Sequence, residues 1–565
     1  MSTESINSYL DYQQLTDRLF QLANEHKSLM QIESIGKSFE ERDIWLVSMT
    51  QSVAGQAADK PALWIDANIH SSELVSSMAA LNFIQWMLSH SEDEDVQRCF
   101  ATRTLYICPR VNPDGAEWAL APVPKLVRSG VRPYPYQETL TDGIDVQDID
   151  GDGKILSMRI KDPNGPWKIS SSDSRLLVRR DATETGGTYY RLLPEGLIRH
   201  YDGFHIPAAT KAQNLDFNRN FPVQWRNEQE QKGAGLYPAS EPEVKAVIDF
   251  ISQHTNICAA LSLHSYSGVL LRPYSFKADD EMPAEDLWLY NKIGQQGEQL
   301  TGYPAVSAYH DFRYHPQEVI TGAMDDWMYE NYGRIAWTVE LWSPHRQAGI
   351  EMNSFIDWYR EHPEEDDLKL LHWNDTALNG EGFINWYAYQ HPQLGEIELG
   401  GWNPLFTFWN PPATQLQQEI DRLPKWLLWH TLITPKLEWL HCRSQMISQD
   451  TYQVDVAVIN TGWLPTQISQ HALKNKLVRG VVFELQSSAD ITFLQGQPRV
   501  ELEQLKGRSD TPSSPNNWLG QNGDATNDRV RMQWLIKVKT AATVEITVKH
   551  ERAGTLTQSL LLQPV

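Results

Sequence analysis

His70 and Glu73 stand three residues apart at the end of the apolar run in residues 63–73, LWIDANIHSSE. Where a strand gives way to a helix, side chains at i and i+3 share one face. An imidazole and a carboxylate so placed are half of a His2Glu zinc site, whose fourth position stays open for water. His-x-x-Glu also arises by chance, mostly in surface turns, so the pair needs partners. His264, closing the strand-like run 257–263, offers a second imidazole. Its plain alternative is a partly buried histidine bonded to a backbone carbonyl. Glu340 closes another apolar run, 335–339. A carboxylate there is costly to bury unless paired or bound. Beside a metal-activated water it suits a general base that hands its proton to a leaving amine; the alternative is a strand-end salt bridge with Arg334 or Arg346. Asn218-Arg219 sets an amide beside a guanidinium fork, suited to gripping a substrate carboxylate.

These groups need a scaffold that brings strand ends together. An amphipathic helix is expected over 9–29, a hairpin from strands 30–35 and 44–49, and a helix after Glu73 with Leu74, Met78, Leu81, Ile84 and Leu88 on one stripe. A capping box, Ser240-Glu241-Pro242-Glu243, is expected to open a helix reaching Phe250. Helices over 284–300, 322–332 and 414–432 and strands at 104–108 and 395–399 complete an α/β pattern. His70, Asn112, His264 and Glu340 all fall at or just past the ends of apolar runs, the edge where open α/β sheets bind ligands. They are read as one site. The fold class is therefore α/β, a mixed central sheet flanked by helices over residues 1–436, with a turn-rich insertion at about 116–207. From 437 to 565 the pattern changes to period two, as in Val454/Val456/Val458 and Val544/Ile546/Val548, and a β-sandwich is expected.

The 565 residues exceed one ordinary core. A net charge of -23 and a pI near 5.2 argue against a nucleic-acid partner. No apolar stretch has the length of a membrane helix, and the first residues, MSTESINSYLDYQQL, lack a secretory pattern. Four scattered cysteines, Cys99, Cys108, Cys258 and Cys442, show no metal or disulfide spacing. A cytoplasmic setting is expected.

The chain resembles the zinc carboxypeptidases of the carboxypeptidase A type, the M14 metallopeptidases. The resemblance rests on IHSSE at 69–73, NPDG at 112–115, FNRNFP at 217–222, SLHSYSG at 262–268 and GAMDDWMYENYGRIAWTVEL at 322–341. It implies His70, Glu73 and His264 as zinc ligands, Asn218 and Arg219 as clamps on a substrate's terminal carboxylate, and Glu340 as base and proton shuttle. It implies a peptide substrate with a free C-terminal carboxylate. The family's substrate tyrosine would fall at Glu318, with Tyr314 as substitute. The carbonyl-polarising arginine has no clear counterpart, and Arg159 is the candidate. The base of the side-chain pocket falls at Asp325, where a carboxylate would favour Lys, Arg or a diaminopimelate-type amine; the alternative is a helix-start aspartate facing the dipole. Rival readings are a zinc amidohydrolase acting on acylated amino acids or cell-wall peptides, and a catalytically silent peptide-binding protein.

Asp148, Asp150 and Asp152 with Gly153 match an oxygen-rich calcium loop, although Arg159 stands where the bidentate Glu belongs. A Ca2+ staple on the insertion is expected, with a plain Asp/Gly turn as the alternative. The sandwich carries no motif with assignable chemistry, and the oligomeric state is left open.

Overall fold

The computed structural model describes residues 5–135, 142–207, 212–313, 315, 317–352, 355–509, 519 and 525–564. Its centre is an eight-stranded mixed sheet in the order Met30–Lys37, Asp43–Met49, Thr104–Cys108, Ala62–Ala67, Ile257–Ser265, Ile335–Leu341, Val269–Arg272, Ala305–Ser307. The inner strands Ala62–Ala67, Ile257–Ser265 and Ile335–Leu341 are buried along their whole length. That is why they read as unbroken apolar runs, the signature of a sheet covered on both faces. They run parallel, so their carboxyl ends share one edge. Register places Leu263 beside Ala67 and His264 beside Glu340.

The first helix, Tyr12–Glu25, begins with a capping box at Asp11 and Gln14 and buries Leu15, Leu19 and Leu22. The helix after Glu73, Leu74–Ser89, departs from the expected single stripe. Ala79, Ala80, Phe83, Ser76 and Ser77 are buried as well as Met78 and Leu81. Its other faces meet the helices Ala413–Ile420 and Pro424–Leu432, whose distance along the chain hid them from periodicity. Those two were expected as one helix; Pro424, at the first turn of the second, separates them. Nor does the capping box at Ser240 form in the helix Pro242–Gln253. Ser240 Oγ donates to Glu241, and Glu243 accepts the Phe39 N–H at 2.9 Å.

The segment at 395–399 does not close the central sheet. Phe383–His391 and Gly395–Trp402 pair with strands from the insertion in a separate six-stranded sheet, Gly395–Trp402 lying against Ser157–Lys161. Four strands of residues 116–207 are thus part of a sheet completed by two strands that come only at 383–402.

Beyond Leu437 two four-stranded antiparallel sheets face each other. Val454, Val456, Val458, Trp534, Ile536, Val544, Ile546 and Val548 fill the space between them. Burying each such side chain contributes about 1.5–3 kcal/mol, so the period-two pattern is itself the sandwich core. Leu464 and Ile468, from a loop of this domain, instead join the core of the α/β unit. Among the described residues no helix is long and apolar enough to cross a membrane.

Candidate active site

The strand Ala62–Ala67 delivers the chain to Asn68, whose left-handed backbone (φ 57°) turns it out of the sheet. Asn68 Nδ2 then donates to His70 O at 2.7 Å and fixes the turn. The helix Leu74–Ser89 starts immediately after Glu73, as the i, i+3 spacing requires. His70 Nδ1 lies 2.8 Å from Glu73 Oε1, while His264 Nδ1 lies 3.0 Å from Glu73 Oε2 and 3.1 Å from His70 Nδ1. All three side chains are buried.

The outward nitrogens fix the tautomers by their hydrogen bonds. His70 Nε2 faces Asp216 Oδ1 at 3.1 Å. His264 Nε2 lies 3.1 Å from Ser262 Oγ, which donates to Asp66 Oδ1 at 2.6 Å, and Asp66 also accepts Trp64 Nε1–H at 2.6 Å. With both Nε2–H groups directed outward, two Nδ1 lone pairs and a carboxylate converge on one buried point. Such a set repels itself unless a cation lies between, and its softness and number suit Zn2+.

Outer partners of this kind hold a ligand ring in place. Ser262→Ala is therefore expected to weaken zinc binding by about tenfold, read by chelator competition. An affinity within twofold of the wild type would deny Ser262 that role.

Arg128 completes the centre. Its Nε donates to Asp216 Oδ2 at 3.1 Å and its Nη1 to Glu73 Oε1 at 3.3 Å. Desolvation raises the partly buried Asp216 carboxyl, but Arg128, Arg219 and His70 outweigh it and hold the group well below the usual carboxylate range. Asn112 is not in the cavity. Its Nδ2 donates to Ser129 O at 2.8 Å, Ser71 N–H donates to Arg128 O at 2.9 Å, and Ser71 Oγ donates to Val127 O. The NPDG turn thus pins the loop that carries Arg128.

A cavity of about 300 Å³ opens onto this centre, lined among others by Arg128, Asn218, Arg219, Asp325 and Glu340. Asn218 Oδ1 accepts Met324 N–H at 2.8 Å, tying the FNR turn to the helix Met324–Tyr332. Asp325, in that helix's first turn, is buried, which raises its carboxyl; backbone N–H groups, Thr338 and His264 act against the rise. Glu340 is driven well above the ordinary range by burial and then by Glu73, with Arg128 opposing.

Arg159 is not brought to this site. It lies in the strand Ser157–Lys161 with Nε and Nη2 on Glu398 at 2.8 and 3.0 Å, and its guanidinium packs over Trp386. Tyr314 lies outside the described residues. Asp148 and Asp150 do come together, but with Glu195 rather than Asp152. Asp152 pairs instead with Lys154 at 3.0 Å, and Glu195 already accepts the Ile149 and Leu156 N–H groups. The calcium expectation gains no support from this arrangement.

Sequence reasoning passed over Asp66, Asp216, Ser262 and Arg128. Asp216 directly precedes FNR, and a ligating histidine needs an outer acceptor. For Arg128 the only signal was Asn112, a polar turn residue requiring a buried partner.

The zinc carboxypeptidase family profile matches residues 15–362. This chain belongs to the zinc carboxypeptidase family. Residues 436–560 match a domain of unknown function. Carboxypeptidase B2 of Rattus norvegicus is 23% identical over 356 residues, covering 59% of this chain and 63% of the relative. Carboxypeptidase A1 of Mus musculus is 23% identical over 357 residues, covering 60% of this chain and 64% of the relative. The chain thus spans less than two thirds of the length of these curated relatives. Among solved structures, thrombin activatable fibrinolysis inhibitor aligns at 19% identity and TM-score 0.39 over 60% of this chain and 67% of the other. The family membership, and with it the zinc carboxypeptidase fold, rests on the profile match over residues 15–362.

Proposed function

We propose that this zinc carboxypeptidase family member is a metallocarboxypeptidase that removes the C-terminal residue of peptides bearing a free carboxylate, with a preference for a cationic side chain (Lys, Arg or a diaminopimelate-type amine). The observation that carries the reading is the shared cavity. The converging His70, Glu73 and His264, the base Glu340, the Asn218-Arg219 clamp and the buried Asp325 all line one space.

Zinc, when bound by His70, Glu73 and His264, supplies a Lewis acid and acidifies water. Arg219 and Asn218 hold the terminal carboxylate, fixing which peptide bond is presented. Arg128, its side chain 46% exposed, has room to donate to the scissile carbonyl oxygen as negative charge develops there. Glu340 takes a proton from the attacking water and returns it to the departing amine. One water is consumed, and one carboxylic acid and one amino acid are released. Asp325 supports the cationic preference: a guest ammonium or guanidinium would restore to its buried carboxylate the charge partner that desolvation demands. The four free cysteines, three of them buried, support a reducing cytoplasmic setting.

The test is cleavage of a peptide panel differing only in the last residue. Release is expected from free peptides and not from C-terminally amidated ones, with Lys and Arg preferred about tenfold or more over Leu. Asp325→Asn should abolish that preference. Equal cleavage of amidated peptides would contradict the carboxypeptidase reading; a cationic preference that survives Asp325→Asn would contradict the pocket assignment.

A further inference from the structure

The helix Met324–Tyr332 presents Asp325 to the cavity at its first turn and ends against the C-terminal domain. The last carbonyls of a helix lack intrahelical partners, and here residues of the sandwich domain supply them. His471 Nε2 lies 2.9 Å from Glu330 O, Arg552 Nη2 donates to Tyr332 O, and Ser469 Oγ donates to Gly333 O at 2.7 Å. Arg552 is fully buried, and its Nη1 donates to Gln467 O at 2.8 Å, tying the clamp to its own domain. A cation at this end also opposes the helix dipole. Gly333, the left-handed terminator (φ 61°), has no space for a side chain; a Cβ there would stand 2.5 Å from Ala472 Cβ.

A second attachment lies on the flank. Tyr329 Oη donates to Asp286 at 2.7 Å, and the same buried carboxylate accepts Gln470 N–H at 2.6 Å and His471 N–H at 2.9 Å. Leu464 and Ile468 carry the same loop into the catalytic core. Nine helical residues span only about 13 Å. A rod that short cannot absorb a displacement at one end without passing it to the other.

We propose that the C-terminal domain serves as the far clamp of the specificity helix, with Ser469, His471 and Arg552 as positioning residues that aim Asp325 at the substrate's terminal side chain. The selectivity part of this rests on the reading of Asp325 above; the clamp itself rests on the contacts just given.

The experiment uses the full chain with Arg552→Met and, as conservative control, Arg552→Lys. The first readout is the ratio of kcat/KM for peptides ending in Lys and in Leu, which is insensitive to the fraction of folded enzyme. It is expected to fall about fivefold to tenfold in Arg552→Met, mainly through KM for the Lys peptide, and to stay within twofold in Arg552→Lys. The second readout is amide exchange. Residues 324–328 should exchange about tenfold faster in Arg552→Met while the strand Ile257–Ser265 keeps its protection. If Arg552→Met does not fold, Ser469→Ala combined with His471→Gln removes milder contacts from the same helix end, with the same two readouts. An unchanged ratio with unchanged exchange at 324–328 overturns the proposal, as does a loss of protection spread evenly over the catalytic unit. If the wild type shows no cationic preference, the Asp325 reading fails by itself, and exchange at 324–328 alone decides the clamp.

Discussion

Glu340→Gln is expected to keep zinc at one equivalent per chain and to lower kcat by about 10²–10⁴-fold on any peptide the wild type cleaves. Glutamine fills the same space at the end of Ile335–Leu341 and lies in the same register beside His264. It cannot accept a proton. Glu340 also makes no side-chain ion pair with Arg334 or Arg346: Arg334 Nη2 donates to His254 O and Arg346 Nη2 to Gly268 O. The strand-end salt bridge is thus not what keeps a carboxylate there. Glu340 lines one cavity with Glu73 and Arg128, and burial and then Glu73 drive its carboxyl upward, as the proposed role in proton exchange would require. Activity within a few-fold of the wild type in Glu340→Gln, measured alongside metal content, would remove Glu340 from the mechanism.

Arg128→Ala is expected to lower kcat by about 10²–10³-fold. The side chain bridges Asp216 and Glu73 while part of it stays open to the cavity, so its loss removes a donor for the developing oxyanion and loosens two supports of the zinc ligands. The two effects separate by measurement. The first appears in kcat at saturating zinc, and the second as a weaker zinc affinity by about tenfold. Arg128→Lys should recover little, because a point charge cannot span both carboxylates as a guanidinium fork does. Full activity in Arg128→Lys would show that only charge matters there.

The parts of this site that were legible in the sequence share one property: each ends a buried parallel strand or sits in the turn just past it. His70, His264 and Glu340 were readable because a fully buried strand is an unbroken apolar run, and a polar residue closing it has few ordinary reasons to be there. The family resemblance then tied Asn218, Arg219 and Asp325 to the same cavity. Arg128 was hidden because it sits in a loop without periodicity, held by Asn112 and Ser71, and no local pattern marks a loop fastened from afar. The choice of Arg159 has the same origin: an arginine in a strand that pairs with Glu398, some 240 residues on, looks unpartnered along the chain. The six-stranded sheet went unseen for that reason too. Period-two strands announce themselves, but their partners do not. The sandwich was legible as a core and illegible as a clamp, since its contacts with the helix Met324–Tyr332 come from the short helix Gln470–Lys474 with its cap Ser469 and from a buried arginine rather than from any repeated pattern.

Zinc-edge X-ray absorption on the metal-loaded protein asks whether one zinc is held by the two imidazoles of His70 and His264 and the carboxylate of Glu73, groups from distant parts of the chain. The expected spectrum has two imidazole nitrogens and carboxylate or water oxygens near 2.0–2.2 Å, about one zinc per chain, and loss of that zinc in His264→Ala. Sulfur donors in the shell, or stoichiometric zinc that His264→Ala leaves in place with the same spectrum, would contradict this coordination.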